Sequence, residues 1–242
     1  MTSARRRVIA LGLAVCTMAA LGIAAIRRQP AALPQRPSGE RPTLLLLTSL
    51  PLIFGEDFSL RASGSRTLQA LRARYKVVPI SVTDGSELAK GRLLLMAQPL
   101  AQTAENLVIL DDWVRSGGRV LLLADPMLEW PSQRPLGDPL RPPPMFADTG
   151  LLAHWGLRLD APDERGPAMR TLAGRKIMTV SPGSLWGGCD ISADRFVARC
   201  TVGKGEAIVV ADADLLDVDS AADDAGRNLG AVVQELATLE HK

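Results

Sequence analysis

The run Gly117-Gly118-Arg119-Val120-Leu121-Leu122-Leu123-Ala124-Asp125-Pro126 narrows the choice of fold more than any other stretch of the chain. It follows an amphipathic segment, residues 103–116, and so reads as helix, glycine stop, buried strand and abrupt exit. A short unbroken apolar run suits a strand covered on both faces better than an alternating strand with one wet face. In an open parallel sheet, ligands bind beyond the carboxyl ends of the strands. Chemistry is therefore expected just after Ala124. What stands there is Asp125-Pro126, with no cysteine, serine nucleophile or glycine-rich phosphate loop beside it.

Similar units precede this one. Residues 43–50 form a continuous apolar strand, and residues 65–75 a helix with Leu68 and Leu71 turned inward. Residues 76–82 and 92–97 read as further strands. The next helix carries Ala104, Leu107, Leu110 and Val114 on one face, at steps of three or four residues. Glu105 in its first turn and Arg115 in its last suit the helix dipole, and Gly117 can take the left-handed stop. This alternation predicts an α/β fold: βαβ units, a mostly parallel sheet, and helices on both faces.

The pattern then breaks. Residues 125–145 contain seven prolines and no apolar periodicity, which predicts a long loop over the carboxyl edge of the sheet. A short helix is expected over residues 146–156, a small β-rich insertion over 157–202, a buried strand over 206–211 and a closing helix over 227–239.

The amino end has a different character. Arg5, Arg6 and Arg7 precede an apolar run that begins at Val8 and ends at Ile26, and Arg27 and Arg28 close it. At about 1.5 Å per residue, such a helix just spans a bilayer core of roughly 30 Å. A retained membrane anchor over residues 1–26 fits this length and the double-arginine stop; a cleavable signal peptide is the alternative. Residues 27–42, rich in proline and arginine, read as a linker to one domain over 43–242. Flanking charge is balanced, and the basic start favours an inner-membrane, single-pass arrangement with the large domain in the periplasm. Residues 1–42 hold seven arginines and one acid, so the rest of the chain is near −4. That excludes the basic footprint expected of a nucleic-acid binder.

Several pieces resemble the periplasmic auxiliary domain of uncharacterised ABC-type transport systems, also found in bacterial gliding-motility proteins. They are residues 110–121, the Asp125-Pro126 exit, Leu151-Leu152-Ala153-His154-Trp155-Gly156-Leu157, and residues 205–214 with the exit through Leu215. Asn228 matches a frequent family asparagine. The resemblance implies a Rossmann-like domain, shaped like class I glutamine amidotransferases but without established catalysis. It would be anchored beside a permease or related subunit, with the bilayer contacted through the run from Val8 to Ile26.

The residues themselves give little chemistry. Amidotransferases place a cysteine on the turn after a strand; here the exits carry aspartates instead. His154 reads as a helix-end residue, and no G-x-S-x-G occurs. No catalytic residue, cofactor or metal is expected. Asp125, Asp212 and Asp214, joined by Glu56 and Asp57, are candidates for ligand binding, against the plainer reading of aspartates that cap helices and turns. Trp130 and Pro143 are candidates for partner contact on a stiff proline-rich loop, against an ordered lid on its own domain. Cys189 and Cys200 either form a disulfide or are two small buried side chains. The expected function is a non-catalytic binding subunit of a transport or envelope assembly. The alternative is a hydrolase or a sugar- or nucleotide-binding protein that uses the same edge.

Overall fold

The structure is a computed structural model, and it describes residues 33–54, 64–218 and 225–241. The strands β1 (Thr43–Thr48), β3 (Leu93–Ala97) and β4 (Arg119–Leu123) are almost wholly leucine, a residue of helical rather than β preference. Burial decides the outcome. Leu44, Leu45, Leu46, Leu94, Leu95, Leu121 and Leu122 are all fully buried, as central strands covered on both faces require. Glycine or proline near the ends keeps each run too short for a stable helix.

With β2 (Lys76–Pro79) and β11 (Gly205–Val210), these strands pair in parallel in the order β2-β1-β3-β4-β11. This is the 2-1-3-4-5 doubly wound arrangement, whose direction of winding reverses between β1 and β3. The right-handed crossover rule then puts α1 (Arg66–Arg72) on one face and α2 (Gly85–Leu88) and α3 (Ala104–Arg115) on the other. The packing agrees: α5 (Ala225–Glu240) touches α1, β3 and β4, whereas α3 touches α2 and β11. Ser65, Asp84 and Thr103 cap α1, α2 and α3 by accepting the N–H three residues on.

Two adjacent glycines end α3 for different reasons. Gly117 has φ 115°, the left-handed stop. Gly118 is needed for space: a Cβ there would lie 2.3 Å from the Trp113 ring.

Between β4 and β11 the chain leaves the sheet. The segment 124–150 is irregular, and the expected helix over 146–156 contracts to α4 (Leu151–His154). Two small antiparallel sheets follow, β5 (Leu157–Asp160) with β8 (Ser184–Gly187), and β6 (Pro167–Leu172) with β7 (Arg175–Val180). The rest of the expected insertion belongs to the main sheet. A two-residue turn at Gly203-Lys204 makes β10 (Val197–Val202) the antiparallel neighbour of β11, and β9 (Asp190–Ile191) pairs beyond it. Cys189 and Cys200 are joined by a disulfide, with Cα atoms 4.9 Å apart.

The membrane part of the expected fold is corrected. Among the described residues no helix is long and apolar enough to cross a membrane. The longest, α5, has 16 residues, about 24 Å, short of a bilayer core of about 30 Å. The span expected from Val8 to Ile26 lies outside the described residues. The inner-membrane, single-pass, periplasm-facing placement that rested on it is withdrawn.

Candidate functional site at the carboxyl edge of the sheet

Asp125 follows β4 and is fully buried. Its Oδ1 accepts the Met127 N–H at 2.8 Å, and its Oδ2 accepts those of Ala213 at 2.9 Å and Asp214 at 3.3 Å. One carboxylate thus ties the exit of β4 to the exit of β11. Asp212, also fully buried, accepts the Thr179 hydroxyl at 2.6 Å and the Leu215 N–H at 2.9 Å through Oδ1. Its Oδ2 has no partner among the described residues. Asp214 accepts the Glu129 N–H at 2.8 Å and so holds the start of the proline-rich loop. The structure therefore brings the three aspartates of the sequence reading together; Glu56 and Asp57 lie outside the described residues.

Burial pushes the Asp125 carboxyl up to about 6, against the backbone N–H groups that favour its charged form. Burial, then the charge of Asp125, raises Asp214 to about 7. The same two causes raise Asp212 well above the ordinary carboxylate value. Burial and mutual repulsion thus favour the protonated forms of all three carboxyls. Among the described residues, no set of three or more His, Cys, Asp or Glu side chains is arranged to hold a metal ion.

Sequence reasoning missed Gln98, which centres the other half of this edge. It leaves β3 fully buried, with φ 43° ahead of Pro99. Its Oε1 accepts the Asp125 N–H at 3.0 Å, and its Nε2 donates to the carbonyls of Asp125 at 3.2 Å and Pro143 at 3.1 Å. The Ser49 hydroxyl donates to the Gln98 carbonyl. A polar residue placed directly between an all-apolar run and a proline was the signal available.

The proline-rich loop is thereby folded onto its own domain. Phe146 N–H donates to the Asp125 carbonyl at 2.6 Å, and Leu128 N–H to Pro144 at 2.9 Å. Trp130 is half-buried against the core, and Pro143 is held through its carbonyl. Other apolar side chains face outward. Phe54, Leu100 and Leu140 are 60%, 52% and 56% exposed around a groove of about 280 Å3. Thr48 and Ser49 from the β1 exit line it, together with Arg134 and Arg141 from the loop. This groove lies at the β1/β3 reversal, where doubly wound sheets bind their ligands.

His154 is elsewhere. Its Nε2 is 3.2 Å from Asp111 Oδ2, and Trp155 Nε1 donates to Asp111 Oδ1 at 2.9 Å. Burial tends to raise the Asp111 carboxyl, but the hydrogen bonds from Arg115, Trp155 and His154 prevail and lower it. The arrangement joins α3 to α4. Asn228 similarly binds α5 to β7, donating to the Met178 carbonyl at 2.8 Å and accepting its N–H at 3.3 Å.

Fold and edge together define a doubly wound α/β domain with an antiparallel extension. No family model matches the chain, and no curated protein sequence matches it. Among solved structures it is similar to the mmIFT52 N-terminal domain, with a TM-score of 0.50 and 15% identity, over 81% of this chain and 97% of that one. A cytoplasmic protein from Salmonella typhimurium is similar with a TM-score of 0.50 and 10% identity, over 81% and 98%. An exo-β-1,4-mannosidase from Opitutaceae bacterium strain TAV5 matches with a TM-score of 0.49 and 14% identity; the match covers 82% of this chain and 36% of the mannosidase. At such identities the likeness is one of fold alone. These comparisons do not bear on the transport-auxiliary resemblance.

Proposed function

We propose that the domain is a non-catalytic recognition module of a larger assembly, which docks a protein partner on its carboxyl edge. The observation that carries this reading is the exposed apolar trio Phe54, Leu100 and Leu140 around the groove at the β1/β3 reversal. Exposed apolar groups flanked by arginine are the composition of a binding surface. Asp125 supports the reading, because both of its oxygens accept backbone N–H groups.

Photocrosslinking from position 140 tests it. A discrete protein adduct is expected, which Leu100→Asp abolishes and which a probe at exposed Val108, on the α3 flank, does not give. Adducts that survive Leu100→Asp, or none at all, would sink the proposal. The position of the groove also favours a second reading, a small-ligand site. In that case a metabolite raises the melting temperature, and Leu140→Asp removes the shift.

A further inference from the structure

The opposite edge of the sheet holds a cavity of about 510 Å3, within the range of about 300–1,000 Å3 usual for small-molecule sites. It opens where β1, β3 and β4 begin, and its walls include Lys90, Arg92, Trp113 and Arg119. Lys90 is paired with Glu87. The guanidiniums of Arg92 and Arg119 have no hydrogen-bond or ion-pair partner among the described residues. Arg92 Nη1 lies over the backbone at Gly117, 3.2 Å from where a Cβ would stand. Arg119 is half-buried at the start of β4, and its in-register neighbour on β11 is Glu206, which is not part of the cavity wall. The carboxylate in the wall, Glu240, is already engaged by Arg36 at 2.9 Å.

Cations at this end of a doubly wound sheet ordinarily serve the carboxyl ends of helices. At α3 that need is met from elsewhere. The carbonyls of Asp112, Trp113, Val114 and Arg115 accept the N–H groups of Ser116, Gly118, Gly117 and Lys204. Arg115, the basic residue of the last turn, reaches back to Asp111 at 2.6 Å. Arg92 and Arg119 are left over from this structural task. Trp113 shares their wall, and the space its ring occupies is what excludes any side chain at Gly118.

We propose that this cavity binds a small molecule carrying a phosphate on a planar ring, with Arg92 and Arg119 answering the phosphate and Trp113 the ring. Guanidinium forks match phosphate oxygens in bidentate geometry, and an indole face packs planar rings. The site lies at the other end of the strands from the partner groove, and the two readings stand or fall separately.

Isothermal titration of the full chain with AMP, adenosine and inorganic phosphate separates the contributions. AMP is expected to bind one site with a Kd below about 1 mM, and adenosine and phosphate each at least about tenfold more weakly. Arg92→Gln and Arg119→Gln should each weaken AMP about tenfold without changing the melting temperature. Trp113→Phe should weaken AMP and leave phosphate unchanged. Failure of AMP to bind, or binding untouched by both arginine variants, overturns the site. Phosphate binding as tightly as AMP overturns the role given to Trp113.

Discussion

The two ends of the sheet use polar side chains in opposite ways. At the carboxyl edge, Asp125, Asp212, Asp214 and Gln98 are buried and spend their hydrogen bonds on the chain itself. At the amino edge, Arg92 and Arg119 border an open cavity, and their guanidiniums bond to nothing among the described residues. A buried, satisfied polar group specifies structure, because leaving its partner unpaired costs more than the bond contributes. A cation at a cavity wall gives the fold little and remains available for a ligand. Residue type alone would have ranked the aspartates as the chemistry and the arginines as surface.

The sharpest way to break this contrast is Asp125→Ala. Three N–H groups lose their acceptor, and the β4 and β11 exits come apart. A loss of about 3 kcal/mol or more is expected in urea unfolding, against less than about 0.5 kcal/mol for Arg119→Gln. Equal losses would mean that Arg119 is structural too. Removing the disulfide with Cys189→Ala and Cys200→Ala should cost about 2–3 kcal/mol. That loss should match the loss seen on reducing the wild-type protein.

Gly118→Ala comes next, at about 2 kcal/mol, because the new methyl would enter the Trp113 ring. Pairing it with Trp113→Ala should recover most of this penalty. No recovery would show that the backbone, not the indole, demands the glycine.

The parallel half of the fold was legible because its signals are local. Gly117 after an amphipathic helix, and leucine runs bounded by glycine and proline, specify helix and strand without distant information. The excursion was less so. Whether β10 joins an insertion or the main sheet depends on what β11 pairs with, and the alternation of residues 157–202 is the same in both cases. The site was half legible. The strand exits placed Asp125, Asp212 and Asp214 together, but only the fold shows that both Asp125 oxygens are turned onto backbone N–H groups. The amino-edge cavity left no sequence signal, since Lys90, Arg92, Trp113 and Arg119 come from three separate elements.

A smaller effect separates the edges by pH. Asp125 and Asp214 are raised in the folded protein to about 6 and about 7, whereas the unfolded chain releases these protons near the ordinary value of 3.8. The folded form thus binds more protons across that window. The contribution of the cluster is complete below about pH 4 and is lost as pH rises through 6 and 7. Asp212→Asn keeps an acceptor for Thr179 and Leu215 while removing one charge. It should flatten this slope and raise stability at pH 8 by about 1 kcal/mol. A steeper slope would show that Asp212 is ionised and needed so. Arg119→Gln, far from the cluster, should leave the slope unchanged.

The smallest expected effect bears most directly on the partner groove. Leu140 is 56% exposed, so Leu140→Asp buries no new charge and removes little packing. Its unfolding free energy should stay within about 0.5 kcal/mol of the wild type. Any loss of partner capture in this variant is then a loss of surface, not of fold. A large destabilisation would instead mean that Leu140 holds the proline-rich loop to the sheet. The carboxyl edge would then be structural throughout, and recognition would be left to the cavity at the other end.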